Sequence, residues 1–485
     1  MGIKKLCLCI ILFSHCALAA DLPSASPESQ GIDSAQLDAA LKDIKSIDAA
    51  IDSVLIMRNG KVVLESYFYP YQADVLHPLF SVTKSVTSTL LGVSLQQQKL
   101  KNLNQTIQPF FANKLKPESD KASITLGNLL DMHSGLAWLP LTPNDPESSN
   151  YQLWQSKNRQ QFVLQQPMDD VPGRTFSYNN GNYVLLSGVI EQAWGATMQE
   201  IAQKHLFGKL GIARSTWQKD PQGHNGGETG LALTTRDLAR LGQLWLQDGV
   251  WEQERLLPTG WTAQLFADTQ AAQSAGYKRG FWVNLGGQYF DAQGSFGQFV
   301  RVDPQHQLVI VMTGKLAELD KAFLNKLHRI AQGGEPIASN TLAQAQLAQT
   351  VQSLAKPTGQ ANTREIGKQW YNRTWRFADK PWGISAVSFK PDPKDAAAIV
   401  WEVDAGWAKN EWPVGMDGRY LEKRDRNGQI LQVRGRWINE RTLEITTQYV
   451  EDIWRWKYRF VFNNEQVVMT YSDNSFDEAK IALGR

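Results

Sequence analysis

The pattern of apolar and polar residues predicts both strands and helices in this chain of 485 residues. In "SVLIMRNGKVVLESYFY" (53–69), two apolar runs flank Asn59-Gly60, a dipeptide typical of tight hairpin turns. Gly, Pro and Asp turns divide residues 280–314 into three further predicted strands. Between these regions, apolar residues at helical spacing predict helices within 124–136 and 234–249. Strands from both ends with helices between them indicate an α+β domain over residues 21–335.

The remainder of the chain has a different pattern. "FLNKLHRIAQGG" (323–334) predicts a helix that closes the first domain. Residues 336–365 are rich in Ala, Gln, Thr and Ser, which predicts a linker carrying one short helix. Nine of the 17 tryptophans fall in residues 366–485, where alternation predicts antiparallel strands around a turn at Asn463-Asn464. We expect a small all-β C-terminal domain in which most tryptophans serve the core.

The first twenty residues have the features of an export signal. Lys4 and Lys5 precede a short apolar run at 6–13, and Ala17-Leu18-Ala19 forms a small-x-small cleavage pattern. The run is too short to cross a bilayer. His15 before Cys16 does not fit a lipoprotein signal. We therefore predict an exported protein, periplasmic or secreted.

Composition narrows the classes of function. The three cysteines all lie in the predicted signal, so disulfide and thiol chemistry are not expected. Lys4 and Lys5 account for the whole excess of 50 Lys and Arg over 48 Asp and Glu. A neutral remainder gives no electrostatic support for nucleic-acid binding. We predict no later membrane span, no cofactor and no metal site, and the oligomeric state stays open.

"LFSVTKSVTSTLLG" (79–92) contains the first chemical candidate. An apolar stripe predicts a helix whose first turn holds Ser81, with Lys84 one turn later on the same face. A serine hydroxyl needs a neighbouring base, and lysine can serve where desolvation favours its neutral form. The alternative is an ordinary N-terminal serine with a surface lysine. One other S-x-x-K occurs, Ser353 to Lys356, but it lies in the predicted linker.

Two later motifs follow Ser81 in order. Tyr178-Asn179-Asn180 is the only Y-x-N and precedes another predicted helix, while "DAQGSFGQ" (291–298) is a Gly-rich strand. Other catalytic signatures are missing, because the sequence has no G-x-S-x-G, H-E-x-x-H or P-loop. We interpret His133, beside Ser134, as a structural residue rather than a Ser-His pair.

With these motifs, the chain resembles the serine β-lactamase-related family of penicillin-recognising hydrolases. The resemblance rests on Ser81-Val82-Thr83-Lys84 for S-x-x-K, Tyr178-Asn179-Asn180 for Y-x-N and Ala292-Gln293-Gly294 for the third, K-T-G-like strand motif. "LLDMHSGL" (129–136) and "GGETGLALTTRDLARLGQLWLQDG" (226–249) are similar to flanking family segments. The resemblance covers roughly residues 30–330 and implies a β-lactamase/transpeptidase-like fold.

The resemblance implies acyl transfer in two steps. Ser81 would attack a carbonyl with Lys84 as proton acceptor, and Tyr178 would pass the proton to the leaving group. Asn180 would bind Lys84 or substrate. Gly294 lies on the strand of the third motif. The backbone N–H of Ser81 and that of Ser295 on this strand would form the oxyanion hole.

One departure from the family pattern concerns the substrate. β-Lactamases and D-Ala-D-Ala peptidases carry Lys or His in the third motif, which helps bind a carboxylate, whereas this chain has Ala292. We therefore expect an exported esterase or amidase, nearest in motif to the 6-aminohexanoate-dimer hydrolases and β-lactamase-fold esterases. A D-Ala-D-Ala carboxypeptidase or β-lactamase is the alternative, and a non-catalytic binding protein on this scaffold is a second one.

Overall fold

The computed structural model describes residues 22–46, 51–140, 145–266, 276–286, 288–315, 321–357, 361–406, 408–452, 454–473 and 476–484. The predicted export signal lies outside these residues. Within them the chain has an α+β first domain and an all-β C-terminal domain, as the sequence predicts.

The strands of the first domain come mainly from its two ends. Within the described ranges they are β1 Ile51–Arg58, β2 Lys61–Tyr67, β3 His77–Pro78, β4 Thr216–Trp217, β5 Leu231–Leu233, β6 Val250–Trp251, β7 Glu254–Arg255, β8 Tyr277–Lys278, β9 Phe281–Asn284, β10 Tyr289–Gly294, β11 Gln298–Asp303 and β12 Leu308–Gly314. The segment predicted as three strands therefore holds four. That prediction was wrong because a turn after Asn284 separates β9 from β10.

Seven of these strands form one antiparallel sheet in the order β2-β1-β12-β11-β10-β9-β8. The predicted hairpin joins β1 to β2, and both Asn59 and Gly60 have positive φ, at 50° and 72°. Two-residue turns of this backbone match the right-handed twist of the flanking strands. β1 then pairs with β12, with Val54 opposite Met312, so the ends of the domain meet in mid-sheet.

Helices cover both faces of this sheet. Among the described residues they are α1 Ser34–Ser46, α2 Val82–Gln96, α3 Leu126–Leu130, α4 Ser149–Gln155, α5 Arg159–Gln165, α6 Asn180–Trp194, α7 Met198–Ala202, α8 Gly208–Leu210, α9 Thr235–Leu246, α10 Lys321–Ala331 and α11 Thr341–Leu354. The predicted helices at 234–249 and 323–334 are present, whereas only α3 is helical within 124–136. No helix in the described ranges is long and apolar enough to cross a membrane.

The alternation along β1 divides the core in two. Val54 and Ile56 face a cluster that includes residues of α1 and α10, while Leu55 and Met57 face a larger cluster with residues of α2, α6 and α9. Successive strand residues point to opposite faces, so one strand supplies both clusters. The candidate catalytic residues lie on the face of the sheet that α2 covers.

The predicted linker helix, α11, packs on the first domain. Leu347 and Leu354 are buried in the cluster with α1, and the Thr350 hydroxyl donates to Asp38 Oδ1 at 2.5 Å. An amphipathic helix gains most of its stability from such packing. This segment is therefore attached to α1 over much of its length.

The C-terminal domain is built around one ten-stranded sheet. Its strands within the described ranges are β13 Thr374–Arg376, β14 Ala386–Pro391, β15 Ala398–Asp404, β16 Lys409–Gly415, β17 Leu421–Arg424, β18 Ile430–Asn439, β19 Thr442–Tyr449, β20 Arg455–Phe462, β21 Val467–Asp473 and β22 Phe476–Gly484. Four tryptophans are buried in its core, namely Trp370, Trp375, Trp401 and Trp437, whereas Trp454 is exposed and Trp407 lies outside the described residues.

Candidate active site

Ser81 lies directly before the first residue of α2, and Lys84 follows one turn later. The Lys84 Nζ donates a hydrogen bond to Ser81 Oγ at 2.9 Å. Only 1% of Lys84 is exposed, so the alternative of a surface lysine is wrong. The helix is buried on nearly every side, because β10 and β11 cover one face and α6 covers another. A buried amine held against a hydroxyl is the arrangement required of a base and its nucleophile.

A residue that the sequence did not single out holds the other side of the lysine. Lys84 Nζ also donates to the backbone carbonyl of Glu228 at 2.9 Å. The Glu228 carboxyl is fully buried, which raises its pKa, and the Arg159 guanidinium lies 3.5 Å from it and opposes that rise. An acidic residue inside the Gly-rich stretch "GGETG" is the sequence signal that could have identified it. Its carbonyl aims the amine at Ser81.

Tyr178 faces the same amine. Lys84 Nζ lies 5.2 Å from the centre of the Tyr178 ring. That ring stacks on Trp282, with centroids 5.8 Å apart, and meets Tyr277 edge-on at 5.7 Å. The phenol oxygen forms no hydrogen bond with a described residue. Packing therefore fixes the ring while the hydroxyl stays available.

Asn180 begins α6 but does not reach Lys84 in this structure. Its Nδ2 donates to Asn150 Oδ1 at 2.8 Å, and its own Oδ1 has no partner among the described residues. The predicted contact between Asn180 and Lys84 is therefore not formed. This oxygen is buried, so Asn180 can offer it to another molecule only after its side chain turns.

The third motif ends β10 beside the segment that carries the nucleophile. A Cβ built on Gly294 would lie 2.2 Å from the Leu79 carbonyl oxygen, a distance that admits only glycine. Ser295 follows and is exposed at the start of the β10–β11 turn, residues 295–297. The structure thus brings Gly294 and Ser295 to the residues just before Ser81, where the sequence predicts the oxyanion hole.

Backbone strain occurs on both sides of this junction. Phe80, directly before Ser81, has a φ of 47°, and Phe296, directly after Ser295, has a φ of 65°. Bulky residues rarely adopt this left-handed conformation, and it concentrates at functional sites. The Ser81 amide donates to no acceptor in the described part of the chain, so it stays free for an incoming oxygen.

Ala292 is fully buried in the larger core cluster, on the same side of β10 as Gly294. Its methyl group brings neither charge nor donor to the site.

Two other residues considered in the sequence, His133 and Ser353, make contacts that serve local structure. The His133 ring contacts Phe176 and the Asp131 carbonyl, and the hydroxyl of Ser353 donates to the Thr350 carbonyl within α11.

Sequence comparisons show which known proteins this chain is similar to. The sequence profile of the family described as Beta-lactamase matches residues 43–335. The 6-aminohexanoate-dimer hydrolase of Paenarthrobacter ureafaciens is 24% identical over 288 residues, which are 54% of this chain and 72% of that protein.

Two solved structures show the same fold. A Bacillus anthracis protein provisionally named as a 6-aminohexanoate-dimer hydrolase has a TM-score of 0.54 and 23% identity, covering 70% of this chain and 90% of its own. The octameric penicillin-binding protein homologue from Pyrococcus abyssi has a TM-score of 0.50 and 15% identity, covering 93% of this chain and 99% of its own. Since the matched profile spans more than half of the sequence, this chain belongs to the Beta-lactamase family of serine hydrolases.

Proposed function

We propose that this chain hydrolyses an ester or amide through an acyl-enzyme on Ser81. The observation that carries the proposal is the hydrogen bond of 2.9 Å from buried Lys84 Nζ to Ser81 Oγ. Lys84 Nζ, 2.9 Å from Ser81 Oγ, is placed to take the hydroxyl proton as Ser81 Oγ bonds to the substrate carbonyl carbon. The backbone N–H groups of Ser81 and Ser295 receive the negative charge that develops on the carbonyl oxygen.

Tyr178 is the proposed proton carrier to the leaving group. Its ring stands beside Lys84 Nζ, and its hydroxyl has no partner in the described chain that would hold the proton back. As the carbonyl–leaving-group bond breaks, the alcohol or amine takes this proton, and Lys84 restores it to Tyr178. Water then attacks the acyl-enzyme, and the same groups return a proton to Ser81. Asn180 would accept a hydrogen bond from the substrate once its side chain turns the buried, unpartnered oxygen towards the site.

Ala292 favours an ester or amide without an essential carboxylate. A Lys or His at this position would place a positive charge or donor beside the acyl group, and a buried methyl group cannot. A 6-aminohexanoate-dimer hydrolase among the relatives supports the esterase or amidase choice over a carboxypeptidase or β-lactamase. The proposal includes export, for which the basic start and apolar run of residues 4–13 are the support.

Intact-mass labelling with a fluorophosphonate tests the nucleophile. The wild type should gain one phosphonyl group and Ser81→Ala none. Ser353→Ala is the matched control, since Ser353 belongs to the other S-x-x-K and should leave labelling unchanged. Labelling that persists in Ser81→Ala, or that never occurs in the wild type, would contradict the assignment.

Substrate choice is tested by comparing a p-nitrophenyl ester with a chromogenic cephalosporin. We expect kcat/KM to be much higher for the ester. Faster hydrolysis of the cephalosporin would support the β-lactamase alternative, and hydrolysis of neither substrate together with absent labelling would support a binding protein.

A further inference from the structure

Gln298, the first residue of β11, is fully buried behind the β10–β11 turn. Its Nε2 lies 2.7 Å from the Gly314 carbonyl oxygen, 3.0 Å from that of Phe296 and 3.4 Å from that of Ser295. Its Oε1 accepts from the Gly314 amide at 3.4 Å. A carboxamide has two N–H donors and one oxygen acceptor, and this arrangement uses them all.

The contacts of Gln298 hold a turn that is strained by itself. Phe296 and Gly297 both have positive φ, at 65° and 85°, so the turn does not follow from local preference. Two of its carbonyls point inward to one side-chain nitrogen. The peptide unit just before these anchored carbonyls carries the Ser295 N–H, one of the two proposed oxyanion donors.

Gly314, which binds the other side of the Gln298 carboxamide, is also held in place. Gly314 ends β12 and pairs with Ile51 of β1 in the sheet. The next residue, Lys315, donates from Nζ to the Tyr449 carbonyl at 3.1 Å, which ties this strand end to the C-terminal domain. Gln298 therefore joins the strained turn to a strand end held by two other parts of the protein.

We propose that Gln298 is a positioning residue that holds the Ser295 N–H in line with the Ser81 N–H for the developing oxyanion. This inference rests on the proposed function. It predicts that loss of Gln298 weakens binding of the transition state more than binding of the substrate. The donors of an oxyanion hole bind negative charge that is absent from the substrate. Loss of Gln298 frees the turn to relax, since its carbonyls would otherwise stay buried without partners.

Gln298→Met is the test, because methionine has similar length and no donor. With the p-nitrophenyl ester, kcat should fall by about 100-fold, the order expected for loss of one oxyanion donor, while KM changes less than about threefold. Affinity for a boronic acid, which mimics the tetrahedral intermediate, should fall in parallel with kcat/KM. Gln243→Met is the matched control, since Gln243 is a buried glutamine of α9 away from the turn, and its kcat should stay at the wild-type value.

The outcomes separate the two proposals. Failure of the wild type to label at Ser81 contradicts the proposed function. Normal wild-type labelling with an unchanged kcat in folded Gln298→Met, or a loss carried by KM alone, overturns the role of Gln298. Should Gln298→Met not fold, Gln298→Glu keeps the shape and regains one donor when protonated. Its activity relative to wild type should then rise as the pH is lowered from 8 to 5.5, and a constant ratio contradicts the proposal.

Discussion

The rings of Phe80 and Phe296 pack against each other with centroids 5.0 Å apart, although the two residues belong to opposite sides of the candidate site. Phe80 precedes Ser81, and Phe296 follows Ser295. Each ring is thus attached to a strained backbone unit next to a proposed oxyanion donor. The aromatic contact offsets part of that strain, because ring pairs contribute about 0.5–1.5 kcal/mol beyond their buried area.

The backbone strain at Phe296 predicts that a glycine variant at this position is more stable than an alanine variant. Phe296→Gly should have a free energy of unfolding about 1 kcal/mol higher than Phe296→Ala, because glycine adopts positive φ without steric cost. Urea denaturation measures the difference. Phe299 provides the control, since it is a buried residue within β11, where Gly should be less stable than Ala by about 0.5–1 kcal/mol. Equal stability of the two Phe296 variants would argue against the strain.

Tyr178→Phe should lower kcat/KM by about 10²–10⁴-fold, the usual contribution of a positioned proton donor. The variant keeps the ring that stacks on Trp282 and removes a hydroxyl with no described partner. We therefore expect the free energy of unfolding to change by less than about 0.5 kcal/mol. Ester hydrolysis and urea denaturation measure the two quantities.

Tyr289→Phe is the control for that variant. Its hydroxyl accepts from Asn284 Nδ2 at 2.9 Å between the paired strands β9 and β10, and its removal should leave kcat/KM unchanged. Wild-type activity in Tyr178→Phe would exclude the phenol from proton transfer.

Gly294→Ala should damage both stability and activity. The added Cβ would lie 2.2 Å from the Leu79 carbonyl oxygen, so β10 or the segment before Ser81 has to move. Overpacking of this kind costs about 1–3 kcal/mol. Gly286→Ala is the matched control, because among the described residues its Cβ would meet only Asn284 Oδ1, at an ordinary 3.7 Å. Thermal melting with ester hydrolysis measures both effects, and similar behaviour of the two variants would contradict the close contact.

The lowered pKa of Lys315 predicts that the free energy of unfolding rises with pH in mild alkali. Burial lowers its pKa to about 8, while nearby Asp52 and Asp452 oppose the shift. Between that pKa and the unfolded value of about 10.4, the unfolded chain binds more protons than the native one. The contribution of Lys315 to the free energy of unfolding therefore increases with pH, with a slope of at most about 1.4 kcal/mol per pH unit.

Lys315→Met isolates this contribution. The free energy of unfolding of the wild type minus that of the variant, from urea denaturation at pH 7.5 to 9.5, should increase through this range. A difference that stays constant or decreases would show that the lysine has an ordinary pKa in the folded protein.

Local signals in the sequence were enough for several elements. Asn59-Gly60 specifies the β1–β2 turn, and the Thr234–Asp237 capping box, with the Asp237 side chain accepting from Thr234, specifies the start of α9. The stripe from Val82 onward specifies α2 and thereby the spacing that brings Lys84 to Ser81. In each case the physical cause lies within a few residues.

Other features depend on contacts between distant segments and could not be predicted. The carbonyl of Glu228 reaches Lys84 only after β5 is placed beside α2, and Gln298 reaches Gly314 only once β11 pairs with β12. The same reason explains why Asn180 does not contact Lys84 in this structure. A Y-x-N motif gives the identity of the side chain, but the position of Asn150 decides where the amide points.

The pairing of Val54 with Met312 has a consequence for the order of folding. The two residues of this central pair are far apart along the chain, and contacts between such distant residues form slowly. Residues 79–96 are synthesised early, yet β10 and β11, which cover α2, come much later. The N–H groups of Ser81 and Ser295 can converge only once the strands at both ends of the domain have met. A chain synthesised only through α2 would thus carry Ser81 and Lys84 but lack the strands that form the other wall of the site.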